Sequence, residues 1–414
     1  MKKINLDYAA TTPVDPRVVK AMAPYFSEKF GNTMSLHSSG QGAKIALENS
    51  RQVLAKFINA GLNEIIFTSS ATESNNTALK GVALANKDKG SHIIISSIEH
   101  PCIVESAGWL KKQGFEITKL RVDKYGMVNP EDVKKAIKPD TVLVSIIHAS
   151  NEIGTIQPIA EIGKICREKG VYFHTDASQS FGKIPIDVKK MNIDLLTASS
   201  HKIYGPKGAG LLFVRHGVKI EPLLHGGGQE GGHRGSTVNV PAIVGFAKAV
   251  EIYKKEFKKE NARLTKLRDN LIKELLKIEG AHLNGSPPTN FESGHRRDFS
   301  SSNFNSKLVG GKSEQRSPNN INVRFDFIEG ESLVIQLDMY GIECSTGSAC
   351  SSLSLEPSHV LLAIGLKPQE AHGSLRVSLG RHTKESDIKY LLKVLPGIIK
   401  KLRKISPFKN SYKF

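Results

Sequence analysis

Two short stretches of this chain carry residue types that suit one chemistry when brought together. The first is Ser199-Ser200-His201-Lys202-Ile203-Tyr204-Gly205-Pro206-Lys207-Gly208, a lysine after the apolar run Leu195 to Ala198 and before a Gly-Pro turn. The second is His174-Thr175-Asp176-Ala177-Ser178-Gln179, at the end of the apolar run Val171 to Phe173. Ligands of α/β proteins gather at the carboxyl ends of parallel strands, so both stretches are expected at one crevice. A lysine and an aspartate converging there suit pyridoxal 5'-phosphate. The amine would hold it as a Schiff base, and the carboxylate would keep the pyridine nitrogen protonated so that the ring draws electrons. A lone lysine after a strand is more often a surface side chain; the other candidates decide the matter.

Ser69-Ser70-Ala71-Thr72-Glu73 follows a short strand, Glu64 to Thr68, and opens a helix. The unpaired N–H groups of that first turn form an anion site, or else Thr72 is only an N-cap. His100 follows the strand His92 to Ile95 and precedes Pro101. It can lie on a cofactor ring and move protons, or be a structural loop histidine. The strand Val142 to Ile147 runs into His148-Ala149-Ser150-Asn151-Glu152. The cysteines are Cys102, Cys166, Cys344 and Cys350. Four in so long a chain is no disulfide framework, and no C-x-x-C pair suggests zinc, so one is available as a working thiol.

The elements that must position these residues follow from periodicity. Strands alternate with helical stretches, Gly40 to Ala60 and Ile159 to Lys169 among them, which indicates βαβ units and a mostly parallel sheet. Residues 5–15 read as an extended entry segment, and Ala209 to Arg215 as a hairpin-like strand. The glycine-rich loop 226–237 is no dinucleotide fingerprint, because no strand feeds it directly and Pro241 follows. Val240 to Gly280 is helical, with the domain change near residue 256. Residues 286–317 are polar, Gly/Ser-rich and aperiodic, the composition of a disordered insertion. Strands at 319–325 and Leu375 to Leu379, and helices at Glu331 to Met339, His359 to Ile364 and Ser386 to Lys404, complete the chain.

With 414 residues the chain calls for two domains, 15–255 and a second of 1–14 plus 256–414. No apolar run approaches a membrane span and no secretory signal opens the sequence, so a cytoplasmic protein is expected. The net charge of +18 raises anionic partners, but the lysines at 254–259 and 400–404 lie on helix-like patterns as solvated faces. Direct nucleic-acid binding is not expected.

The pieces resemble one family, the NifS/IscS-type cysteine desulfurases among the class V aminotransferases. The resemblance runs through Leu6-Asp7-Tyr8-Ala9-Ala10-Thr11-Thr12-Pro13, Ala71-Thr72-Glu73-Ser74-Asn75, Glu99-His100, Asn151-Glu152-Ile153-Gly154-Thr155, His201 to Gly208 and Gly347-Ser348-Ala349-Cys350, in order over almost the whole chain. It implies the fold type I architecture of pyridoxal-phosphate transferases: α/β, with a large, mostly parallel, seven-stranded-type sheet domain and a smaller α+β domain. It also implies a homodimer. By the same resemblance Lys202 carries the cofactor, Asp176 faces the pyridine nitrogen, Gln179 touches the ring hydroxyl and His100 stacks on the ring. Ala71, Thr72, Ser199 and His201 hold the phosphate, with Thr237 reaching over from the other subunit. Asn151 and Arg376 bind the substrate, a bidentate guanidinium–carboxylate pair being the reason for arginine. Cys350 takes sulfur from L-cysteine as a persulfide and passes it to an acceptor, an iron–sulfur scaffold or a tRNA-thiolation protein. No metal site is expected, beyond a transient contact of Cys350 with a transferred iron–sulfur cluster. The alternatives are a selenocysteine lyase or another class V lyase or aminotransferase, and an inactive scaffold paralogue. The chain departs from the family at Ser70 (usually glycine), Ser150 (commonly asparagine) and Gly235-Ser236 (usually Ser-Gly).

Overall fold

The computed structural model describes residues 3–289, 315–347 and 356–406. Its strands are β1 (Ile4–Asn5), β2 (Ile65–Thr68), β3 (His92–Ser96), β4 (Glu116–Leu120), β5 (Thr141–Ser145), β6 (Tyr172–Asp176), β7 (Leu195–Ser199), β8 (Gly210–Val214), β9 (Ala281–Leu283), β10 (Asn320–Phe325), β11 (Ile342–Glu343) and β12 (Ser374–Ser378). Seven of them form one sheet in the order β2-β8-β7-β6-β5-β3-β4. Only β8 runs antiparallel to its neighbours. Helices cover both faces, which is why β3, β5 and β7 read as unbroken apolar or small-residue runs and are buried throughout. Among them Ile93, Ile94 and Ile95 have no exposed surface, and truncating one would cost about 2–5 kcal/mol.

A second apolar core gathers Ile4 and Leu6 from the entry segment with Leu264 and Leu271, Ile321 and Val323, Leu375 and Val377, and Leu391 and Leu395. The entry segment is therefore more than an extended lead: β1 pairs in parallel with β11, and β10 is flanked antiparallel by β9 and β12. The helix Val240–Leu275 passes unbroken between the two cores, Phe246 and Val250 packing into one and Leu264 and Leu271 into the other. Lys254, Lys255, Lys258 and Lys259 lie on its exposed side, the solvated face expected of them. Among the described residues no helix is long and apolar enough to cross a membrane.

The edges of the stretch 286–317 are folded, unlike the expectation drawn from its composition. Ser286, Arg316 and Ser317 are buried, and residue 316 bridges Thr155 antiparallel. The Arg316 guanidinium donates to the carbonyls of Ser286 (2.6 Å), Asn320 (3.1 Å) and Asn284. A buried arginine that satisfies several backbone acceptors has no signature in composition. The segment 290–314 lies outside the described residues. Arg316→Ala is expected to destabilise the fold by about 3–5 kcal/mol, because it strands buried carbonyls. A denaturation midpoint unchanged from wild type would contradict that role.

Candidate functional site

The carboxyl ends of β2, β3, β5, β6 and β7 open onto a cavity of about 250 Å³, and the N-terminal segment, Gly347 and Arg376 close it from the other side. A larger cleft of about 440 Å³ lies at the opposite ends of β5 and β6. Its lining holds Lys89, Lys138 and Lys169 with Asn86, Thr141 and Tyr172 but no carboxylate, histidine or thiol to activate a hydroxyl or an amine, so the chemistry points to the first cavity.

Lys202 lies in the single helical turn after β7, and its Nζ donates to the carbonyls of Ala9 (2.6 Å) and Ala10 (2.8 Å). Ala9 O also accepts from Gln179 Nε2 at 2.9 Å, so the Tyr8-Ala9-Ala10 backbone organises both side chains. The hydroxyl and backbone N–H of Thr12 donate to the His201 carbonyl, fastening that backbone beside the lysine. Behind Gln179, Lys183 Nζ lies 3.4 Å from Oε1. Burial brings that ammonium down to about 7, Lys202 adding to the effect.

Asp176 ends β6 and is almost wholly buried. Its Oδ1 accepts the backbone N–H of Ser178 (2.8 Å) and the Ser178 hydroxyl (2.5 Å), and Oδ2 accepts Asn75 Nδ2 (2.7 Å). A carboxylate offers about four lone-pair sites, so room remains for one more N–H donor. His100 caps the helix Pro101–Lys112, its Nδ1 accepting the backbone N–H of Cys102 at 3.2 Å. Burial holds His100 below its ordinary value, with Lys202 and His359 adding and Asp176 opposing. Beneath it, Glu99 accepts from Ser96 Oγ (2.5 Å) and Ile147 N–H (2.8 Å), tying β3 to the loop after β5, and burial pushes its carboxyl up to about 8.

The helix Ala71–Ala85 points its first turn at the cavity, with Ala71 and Thr72 in the lining. Ser70, not Thr72, is the N-cap, and its side chain accepts from Glu73 N–H at 3.2 Å. Its φ of −168° is extended backbone, so serine costs nothing where glycine is usual. Ser199 and His201 also line the cavity. His201 Nδ1 lies 3.0 Å from Thr11 Oγ1, and burial, with Lys202, Lys207 and Lys183, lowers the ring to about 4. A neutral imidazole here can meet an anion through a hydrogen bond but not through a charge.

Arg376 on β12 is buried. Nη1 donates to the carbonyls of Gly347 (3.1 Å) and Asn151 (3.3 Å), and Nη2 to Asp7 Oδ1 (2.8 Å). Nε is buried without a partner among the described residues, so of the five N–H donors Nε–H and the second Nη2–H, side by side on one edge of the fork, are left for a carboxylate. Asn151 stands beside it in a turn stabilised by Ser150 Oγ, which accepts the N–H groups of Glu152 and Ile153. Serine thus takes the turn-forming role of the more common asparagine.

Ten of the expected site residues line this cavity: Ala71, Thr72, His100, Asn151, Asp176, Gln179, Ser199, His201, Lys202 and Arg376. Thr237 does not; it is exposed on the surface of its own chain. Cys350 lies outside the described residues. Sequence reasoning gave no role to Asn75, Cys102, Glu152 or His359, all of which line the cavity. Asn75 stood inside a quoted motif, but nothing local told that its amide meets Asp176, 101 positions on. Ser236 has φ 146°, a backbone that favours glycine and stands where the family has one. Ser236→Gly is expected to stabilise the protein by about 1 kcal/mol, read as a shifted denaturant midpoint.

The class V aminotransferase family matches residues 4–310 and 300–391 of the chain. The chain is 52% identical to "Cysteine desulfurase IscS" of Methanosarcina thermophila, over 98% of this chain and 94% of that one. It is 46% identical to "Cysteine desulfurase, mitochondrial" of Saccharomyces cerevisiae, over 98% of this chain and 77% of the relative. Among solved structures, a "NIFS-like protein" superposes with a TM-score of 0.85 at 36% identity, covering 97% of this chain and all of the other. "SspA in complex with cysteine" superposes at 0.75 and 38% identity, covering 91% and 99%. With the large, mostly parallel sheet expected of fold type I in place, the chain belongs to the class V aminotransferase family, on the branch of the IscS and NifS-like proteins.

Proposed function

We propose that the protein is a pyridoxal-phosphate-dependent cysteine desulfurase, converting L-cysteine to L-alanine with the sulfur retained as a persulfide on Cys350. The observation that carries this reading is the meeting of Lys202, Asp176 and Arg376 in one cavity, in a chain half identical to named cysteine desulfurases. The cavity fits pyridoxal 5'-phosphate: it pairs an amine with a buried carboxylate that keeps acceptor capacity, and opens at a helix N-terminus suited to a phosphate. When bound, that group supplies an aldehyde that takes up an amine and a ring that stores the electron pair left when a Cα proton is removed.

The chain's own residues do the rest. Lys202 is the amine that would hold the cofactor, and as a free amine it would move the Cα proton. Asp176 would keep the cofactor's ring nitrogen protonated, and Gln179 would serve its ring hydroxyl. Ala71, Thr72, Ser199 and His201 would hold the phosphate. His100 would lie against the ring and serve proton transfer. Asn151 and Arg376 orient the substrate through its carboxylate. The Cys350 thiolate then attacks the substrate sulfur: an S–S bond forms, the C–S bond breaks, and its electron pair leaves with the carbon fragment, which takes up protons and departs as alanine. A sulfur-acceptor protein of iron–sulfur cluster assembly or tRNA thiolation removes the persulfide sulfur.

We read the two cores as a cofactor domain (15–255) and a second domain (1–14 and 256–414). A homodimer is part of the same reading, with the partner subunit's Thr237 reaching this cavity. Exposed Phe26, Phe30, Met34 and Leu36, the last 91% exposed, support it. A cytoplasmic setting suits the free thiols of Cys102, Cys166 and Cys344.

The test is to mix purified protein with cysteine and follow alanine, sulfide and cofactor absorbance together. Absence of alanine from cofactor-replete protein would overturn the reading. Arg376→Ala is expected to raise KM for cysteine by about 30- to 1000-fold, the equivalent of about 2–4 kcal/mol for a lost charge-assisted pair, while the absorbance spectrum persists. An unchanged KM would mean that the carboxylate is held elsewhere.

A further inference from the structure

Asp176 and His100 are joined by two side chains to which the reaction has so far given no part. Asn75 Nδ2 donates to Asp176 Oδ2 at 2.7 Å and lies 3.1 Å from Cys102 Sγ; Cys102 Sγ lies 3.0 Å from His100 Nδ1. The direction of this chain follows from its donors. Asn75 Nδ2 can only donate, so the sulfur accepts there, and its own proton is left for His100 Nδ1. The ring nitrogen also takes the Cys102 backbone N–H, so both donors meet one lone pair and the imidazole proton resides on Nε2. The assignment needs Cys102 to stay a thiol. Burial, with Asp176 and Glu99 adding and the Asn75 hydrogen bond opposing, pushes it up to about 12, which keeps the S–H bond intact at working pH. Asn75 has no exposed surface, and its Oδ1 has no partner among the described residues.

We propose that Asn75 and Cys102 are positioning residues that link Asp176 to His100 and hold the His100 imidazole neutral, with its proton on Nε2. This rests on the desulfurase reading for its catalytic consequence, though not for its geometry. A residue poised to take or give a proton at the ring face works only if its free and protonated nitrogens are fixed. The charged and titratable groups facing the pair are Asp176, Lys202 and His359 around His100, and Asp176 and Glu99 around Cys102. Removing the thiol removes a donor that competes with protonation of Nδ1. The imidazolium therefore becomes easier to form, and the acid limb of the pH profile should move up.

The experiment uses the full chain loaded with pyridoxal phosphate, as wild type, Cys102→Ala, Cys102→Ser and Asn75→Ala. In Cys102→Ala the acid limb of kcat is expected to rise by roughly one pH unit. Cys102→Ser, whose hydroxyl also donates, should restore it, and Asn75→Ala should shift it in the same direction as Cys102→Ala. Nitrogen-15 NMR of histidine-labelled protein, with the His100 signal assigned through His100→Gln, reads the tautomer without turnover. The backbone N–H of residue 102 remains in every Cys102 variant and keeps the neutral tautomer, so the thiol is read from the pH at which Nδ1 takes a proton: wild type and Cys102→Ser should hold a bare Nδ1 to lower pH than Cys102→Ala does. A pH profile and Nδ1 protonation unmoved in Cys102→Ala, or moved equally in Cys102→Ser, would overturn the link. Should wild type fail to turn over cysteine, the desulfurase reading falls, while the tautomer measurement still decides this one.

Discussion

Lys202→Ala is expected to leave a folded protein and reduce alanine formation from cysteine by at least about a thousandfold, since covalent attachment and a positioned base are lost together. The geometry explains why so little else should change. Lys202 Nζ spends its described hydrogen bonds on the carbonyls of Ala9 and Ala10, at the rim of an open cavity. Water can reach those carbonyls once the side chain is gone, so the stability loss should be about 1 kcal/mol. Lys202→Arg should fail almost as completely, because a guanidinium remains charged and cannot act as a free amine. The measurements are alanine release, the visible absorbance of protein purified with pyridoxal phosphate, and the mass of the Lys202 peptide after borohydride reduction. Wild type should be yellow and carry the reduced adduct on Lys202. A Lys202→Ala protein within tenfold of wild-type turnover would remove the lysine from its role.

Much of the fold was legible because the parallel strands are short apolar runs bounded by turn residues, and burial on both faces makes them continuous. Val171 to Phe173 and Leu195 to Ala198 pointed at β6 and β7, and their carboxyl ends hold Asp176 and Lys202. What failed to show were contacts with no local cause. β4 lies at the sheet edge with only Leu120 buried, and its two apolar residues, Ile117 and Leu120, fall at no strand period, so nothing in its sequence marks it as a strand. The pairing of β1 with β11 spans more than 330 positions, and the Asp7–Arg376 ion pair spans 369. Composition also misread 316: an arginine in a Gly/Ser-rich stretch looks solvated, yet here it is a buried hub for three carbonyls. Within the site, the reacting groups were legible from type and strand-end position. The groups that orient them, Asn75 to Asp176 and Cys102 to His100, belong to helices that meet only in three dimensions.

Cys350→Ser is expected to retain cofactor and cysteine binding yet form no persulfide, with alanine release falling by about a hundredfold or more as the nucleophile is lost. Cys344→Ser should stay active, and the structure supplies the reason for the contrast. Cys344 follows β11, packs against the second apolar core, and is only partly accessible. Burial pushes its thiol up to about 12, and Asp7 adds to the shift while Arg376 opposes it. At neutral pH roughly one such thiol in 10⁵ would be ionised, too few for a nucleophile that reacts as thiolate. The same argument disqualifies Cys166, fully buried on the helix Ile159–Lys169, and Cys102, whose thiol is raised in the same way. Among the four cysteines of the sequence, that leaves Cys350, which follows Gly347, Ser348 and Ala349 in the sequence and lies outside the described residues. Alkylation of cysteine-treated protein followed by peptide mass spectrometry should find the extra sulfur on the Cys350 peptide in wild type and Cys344→Ser, and nowhere in Cys350→Ser. A persulfide on Cys344, or full turnover in Cys350→Ser, would overturn the assignment and move the sulfur chemistry to a thiol that the local electrostatics hold protonated.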